Sequence, residues 1–130
     1  MTPFEYLAAG GLLAVVFVLL HIATTREATG SSVLATVLFV LFLGYSVFTI
    51  AREGILPVWE NHTTNLWGVQ VWWDLLFAVG ITSFFIVPRA RAQGMNIPLW
   101  ILFVATTASI GLLAMVARLF WLEKRGSAAA

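Results

Sequence analysis

Apolar residues run almost unbroken through four stretches of this chain, about Pro3 to Thr24, Ser31 to Arg52, Leu66 to Val87 and Ile97 to Leu122, separated by short polar connections. A helix needs about 20 mostly apolar residues to cross about 30 Å of hydrocarbon, so each stretch is long enough to be a membrane span. The pattern predicts an all-α fold: an integral-membrane four-helix bundle with up-down-up-down order, one domain over residues 1–125, and a flexible tail over 126–130. The first stretch has no basic region before it and no convincing small-residue cleavage site after it, so it reads as a retained span rather than a signal peptide.

The connections carry the breakers. Thr25 to Ser32 is a polar turn whose serines are placed to cap the second helix. The 53–65 connection is the longest; Gly54 and Pro57 interrupt it, and its Ile55, Leu56, Val58 and Trp59 suit an interfacial position. Gln93 to Asn96 is a short turn, which makes the third and fourth segments an antiparallel hairpin, with Pro98 in the first turn of the fourth, where a missing N–H costs little. Tryptophans 67, 72 and 73 mark one end of the third segment as an aromatic belt, and Arg89 and Arg91 mark the other.

Composition agrees with the membrane reading. Of 130 residues, 61% are hydrophobic and only 10% charged, with a mean hydropathy of +0.96, whereas charged residues make up about a quarter of soluble domains. No length remains for a separate soluble domain. The chain has no cysteine, which removes disulfides, thiolate metal sites and cysteine nucleophiles. The seven Lys and Arg lie at segment ends and form no nucleic-acid footprint. With four spans, Arg52, Arg118, Lys124 and Arg125 fall on one side and Arg26, Arg89 and Arg91 on the other, a bias too small to fix orientation.

One carboxylate, Asp74, lies inside an apolar segment, some seven residues from its start. At about 1.5 Å rise per residue, Arg118 on an antiparallel fourth span reaches a similar depth, and an Asp74–Arg118 ion pair is predicted. His21 falls near the opposite surface, too far away for a His–Asp pair. Tyr45, Thr49, Gln70, Trp72 and Trp73 belong to the same half as Asp74, with Glu60 and His62 above, and together with Arg118 they outline a polar, ligand-binding pocket. Three readings of Asp74 stand side by side: a carboxylate neutralised by Arg118 as structural glue, a group that with Arg118 or Glu60 contacts a ligand or moves a proton, or a water-exposed carboxylate on a shallower helix. No metal site is expected. Ala105, Ala108, Gly111, Ala114 and Ala117 recur every three residues along the fourth segment, a stripe of small side chains suited to close helix packing, or to a flat apolar ligand such as a lipid, carotenoid or other isoprenoid. No cofactor is otherwise predicted.

From Leu43 to Glu123 the order Arg52-Glu53-Gly54-Ile55-Leu56-Pro57, Trp73-Asp74-Leu75-Leu76, the basic turn Arg89 to Met95, Pro98-Leu99-Trp100 and Ser109 to Leu113 resembles a family of short bacterial inner-membrane proteins with no established activity. That resemblance covers about two thirds of the chain and implies a bacterial inner-membrane location. A second, fainter resemblance is to integral-membrane terpene cyclases and neoxanthin-synthase-like proteins. It implies Asp74 or Glu60 as the catalytic acid, with Trp72, Trp73 and Tyr45 stabilising a carbocation, and, because those enzymes are larger bundles, a homodimer to enclose the substrate.

The leading expectation is an accessory or assembly subunit in the lipid bilayer, in contact with other membrane-protein subunits or with copies of itself. It rests on the absence of a catalytic signature, the small-residue stripe and the lack of any soluble domain. The cyclase is the alternative, and a transporter or proton-conducting element the third.

Overall fold

A computed structural model describes residues 2–26 and 30–129. Among the described residues six helices follow one another: α1 (Pro3–Thr24), α2 (Ser32–Glu53), α3 (Leu56–Thr63), α4 (Leu66–Ala92), α5 (Ile97–Thr107) and α6 (Ser109–Ala129). Three of them, α1, α2 and α4, are long and apolar enough to cross a membrane.

The chain divides into two compact units, Met1–Gly30 and Ser31–Ala130. The first consists of α1. Thr2 caps it: the Glu5 amide donates to Thr2 Oγ1 at 3.2 Å and the Thr2 amide donates back to Glu5 Oε2 at 2.6 Å, with Pro3 at the first helical position. In the connection that follows, Glu27 to Thr29 lie outside the described residues. Ser31 caps α2 as expected, its Oγ accepting from the Leu34 amide at 3.2 Å.

The second unit departs from the predicted bundle at one residue. The fourth stretch is not a single span, because it breaks at Ala108 into α5, of 11 residues, and α6, of 21. At 1.5 Å per residue α5 is only about 16 Å long, roughly half the hydrocarbon thickness. Ala108 has φ 49° and ψ −116°, a conformation that L side chains rarely adopt, and beyond it the chain folds back. Phe103 and Gly111 would be about 12 Å apart along a continuous helix. Here a Cβ on Gly111 would lie 2.8 Å from the Phe103 carbonyl oxygen. Thr107 stitches the corner, since its hydroxyl donates to Phe103 O at 2.7 Å and accepts from the Gly111 amide at 2.9 Å.

Folding back makes α6 the central helix of this unit. Gly111, Met115 and Leu119 are its buried residues. Met115 and Leu119 are fully enclosed, in one core with Ile86 and Ala90 of α4, Met95 of the turn and Val104 of α5. On its other side α6 packs along α2. A continuous fourth span would have carried Glu123 across the membrane from Arg89. Instead Arg89 Nε and one terminal nitrogen donate to the two Glu123 carboxylate oxygens at 2.9 and 2.7 Å, and the guanidinium also lies over the Phe120 ring.

The α4–α5 turn is the predicted tight connection. The Met95 amide donates to Ala90 O at 3.0 Å and the Gly94 amide to Arg91 O at 3.0 Å. Gly94 takes φ 70°, which gives the two crossed bonds of a Schellman motif with glycine in the left-handed position. Asn96 then caps α5 through the Leu99 amide. Helix α4 runs through Pro88 to Ala92, five residues past the predicted end at Val87. Proline removes one backbone bond, but burial of Ile86 and Ala90 against α5 and α6 holds the last turn in helix. Of the predicted tail over 126–130, residues 126–129 continue α6, with the Ser127 hydroxyl donating to Glu123 O, and Ala130 lies outside the described residues.

Candidate functional site

Asp74 sits on α4, whose partly or fully buried positions (Gly68, Trp72, Leu75, Val79, Thr82, Ser83, Ile86, Val87 and Ala90) follow three- and four-residue steps and form one face. Asp74 lies on the opposite face, with Gln70 one turn before it and Phe77, Ile81 and Phe84 after it, and all of these are exposed. Asp74 makes no hydrogen bond or ion pair among the described residues, so its carboxylate points away from the rest of its own unit.

The expected Asp74–Arg118 ion pair does not form. Arg118 stacks on Trp121, its guanidinium carbon 4.7 Å from the ring centroid, beside Ser32, Val33, Thr36 and Val37 at the start of α2. Measured along the helices from the Arg89–Glu123 contact, Arg118 is about 8 Å away and Asp74 about 22 Å, so some 15 Å separates their depths. The depth estimate from sequence ran a straight fourth span to the Asp74 end, and the reversal at Ala108 sends Arg118 to the other.

Of the remaining members of the predicted pocket, Trp72 and His62 meet and Gln70 shares a face with Asp74, while the others lie apart. Tyr45 and Thr49 lie on the upper part of α2, where Thr49 Oγ1 donates to Tyr45 O at 2.9 Å, and α2 and α4 share no extended packing because α6 lies between them. Trp73 faces outward against Phe77, with ring centroids 5.3 Å apart. Trp72 faces inward, but under α3: Trp59 meets it edge-on at 6.3 Å and His62 at 5.2 Å. Glu60 is exposed on α3, and its carbonyl accepts from the Thr64 hydroxyl.

This α3–α4 corner was hidden within what read as a connection. Pro57 in the first turn of α3 was the available signal. The close approach occurs at Gly68, where a Cβ would run into the Asn61 carbonyl oxygen and lie 3.2 Å from His62 Cα. His62 Nδ1 is 2.5 Å from Val58 O, and because a carbonyl only accepts, that ring nitrogen carries the proton.

The small-residue stripe is interrupted as well. Gly111 is buried at the α5 contact, and Ala117 lines the groove between α2 and α6. Ala114 is partly buried on the same helix, whereas Ala105 is exposed on α5 and Ala108 is the break itself.

The reversal also redistributes charge. Within residues 31–130, Arg89, Arg91, Arg118, Lys124 and Arg125 all fall at the end where α2 begins, and Arg52 lies at the other with Glu53, Glu60 and Asp74. No family model matches the chain, and no curated protein or solved structure matches it.

Proposed function

We propose that this protein is an accessory subunit of a larger assembly in a bacterial inner membrane, docked through the outward face of α4. The observation that carries this is Asp74. If Arg89 marks one hydrocarbon boundary, Asp74 lies about 8 Å inside the other, given a thickness of about 30 Å. An aspartate costs about 2.5–3.5 kcal/mol at the bilayer centre, less toward the surface, and such groups in spans turn toward protein, water or a counter-charge. Within its own unit Asp74 has none among the described residues. A partner helix carrying a cation or hydrogen-bond donor, packed over Gln70, Asp74, Phe77 and Ile81, supplies it. The charge bias of five to one in the second unit assigns the α2-start end to the cytoplasm by the positive-inside rule.

Purification of the tagged protein from its native membrane in mild detergent tests this. The wild type is expected to carry another membrane protein in fixed ratio, and Asp74→Leu to lose it while retaining its helix content. A wild type that always migrates as a lone small oligomer removes the subunit reading. A partner retained in full by Asp74→Leu removes α4 as the docking face.

A further inference from the structure

The groove between α2 and α6 has a different character from the α4 face. It is open, with a volume of about 460 Å³, and is lined by Ser32, Val33, Thr36 and Val37 of α2 and by Ala117, Arg118 and Trp121 of α6. Its walls are apolar apart from two hydroxyls and one guanidinium, and the small side chain of Ala117 keeps it open. Arg125 adds a second cation, since it stacks on the Trp121 ring at 4.6 Å while Arg118 does so at 4.7 Å. Neither arginine has a carboxylate partner among the described residues, because Glu123, the acid nearest to both in sequence, is taken by Arg89. The Ser32 hydroxyl makes no hydrogen bond among the described residues. One indole thus holds two uncompensated guanidiniums, and it and Arg118 line an apolar groove that begins where a span begins.

We propose that this groove binds one anionic diacyl phospholipid, its phosphate between Arg118 and Arg125 and an acyl chain along Val33, Val37 and Ala117. Charge complementarity selects this occupant. Guanidinium groups hydrogen-bond phosphate through paired N–H donors, their stacking on Trp121 fixes their orientation, and an apolar trough beside them suits a ligand with both a headgroup and a chain. A soluble phosphate uses only the first of these features. The site rests on the membrane reading and is independent of docking through α4.

Trp121 gives the readout. The full-length protein is placed in nanodiscs of phosphatidylcholine in which one fifth of the lipid is replaced by a dibrominated species, either phosphatidylglycerol or phosphatidylcholine. The component quenched by bromine is assigned to Trp121 by its loss in Trp121→Phe. Association with the phosphatidylglycerol species is expected to exceed that with phosphatidylcholine at least threefold, to fall to about equal in Arg118→Gln/Arg125→Gln, and to persist in Arg118→Lys/Arg125→Lys. Arg91→Gln, which removes a cation from the same end but not from the groove, is expected to leave it unchanged. Circular dichroism checks that each variant is folded. Equal quenching by the two lipids in the wild type, a preference that survives the double glutamine variant, or an equal loss in Arg91→Gln would overturn the proposal. So would abolition of the preference by millimolar inorganic phosphate, which would make the site one for a free anion. Loss of the α4 partner in Asp74→Leu leaves this preference intact, so the two proposals fail separately.

Discussion

Ala108→Gly distinguishes the reversal from a continuous fourth span by the sign of its effect. Ala108 holds φ 49° and ψ −116°, the geometry of the first central position of a type II′ turn, where glycine is preferred. Backbone strain of this kind costs about 1–3 kcal/mol, and glycine's greater loss of freedom on folding returns about 0.5–1 kcal/mol of that. A net stabilisation of about 1 kcal/mol is therefore expected. Inside an unbroken helix the same substitution would destabilise by about 1 kcal/mol. Gly111→Ala has the opposite pattern. Its new Cβ would lie 2.7 Å from Thr107 Oγ1, 2.8 Å from Phe103 O and 2.9 Å from the Phe103 carbonyl carbon. The hydroxyl can rotate away, but the backbone carbonyl cannot, and overpacking of this kind costs about 1–3 kcal/mol. In a continuous helix alanine would instead gain about 1 kcal/mol. The assay is reversible unfolding of the full-length protein in mixed micelles, followed by tryptophan fluorescence and far-ultraviolet circular dichroism. A lower midpoint for Ala108→Gly together with a higher one for Gly111→Ala would refute the reversal and restore a single fourth span.

Other expectations follow from the same geometry. In a double-mutant cycle with Arg89→Ala and Glu123→Ala, a coupling of about 1 kcal/mol is expected, because the pair is bidentate yet the Arg89 side chain is 43% exposed; additive single effects would mean that the two helix ends are apart. Gly68→Ala should destabilise the α3–α4 corner by about 1–3 kcal/mol, since its Cβ meets the Asn61 carbonyl. Faster proteolysis within residues 55–64 would register this, and an unchanged cleavage rate would argue against the close packing. The chain has no cysteine, so single cysteines report topology cleanly: those at Gln93 and Gly126 should react with an impermeant thiol reagent from the same side, and one at Asn61 from the other. Labelling of positions 93 and 126 from opposite sides is the pattern a straight fourth span would give.

The local grammar of this chain was legible in part. The Ser31 cap of α2 and the short turn after α4 were read from the sequence, whereas the side-chain caps at Thr2 and Asn96, equally local, were not. The break at Ala108 was not legible. Its one local cue is the run Thr106-Thr107-Ala108-Ser109, whose threonine hydroxyls bond back to Leu102 and Phe103 carbonyls; such bonding is also common along helices that simply continue. Asp74 was found as the outlying carboxylate, but its surroundings were inferred from a depth that the break reverses.

By itself the sequence determined the class: uninterrupted apolar runs of span length, with breakers and caps between them, produce apolar helices whatever their tertiary arrangement. Only the tertiary structure decided that the last run is two helices rather than one, and with it which end Arg118 and Glu123 occupy, which partners they find, and which face of α4 is left with an unanswered carboxylate. The physical reason is that a helix apolar on all sides has no polar face to set its orientation or its neighbours. Its path is chosen by contacts such as Gly111 on Phe103 and Met115 and Leu119 among Ile86, Ala90 and Val104, none of which leaves a period in the sequence.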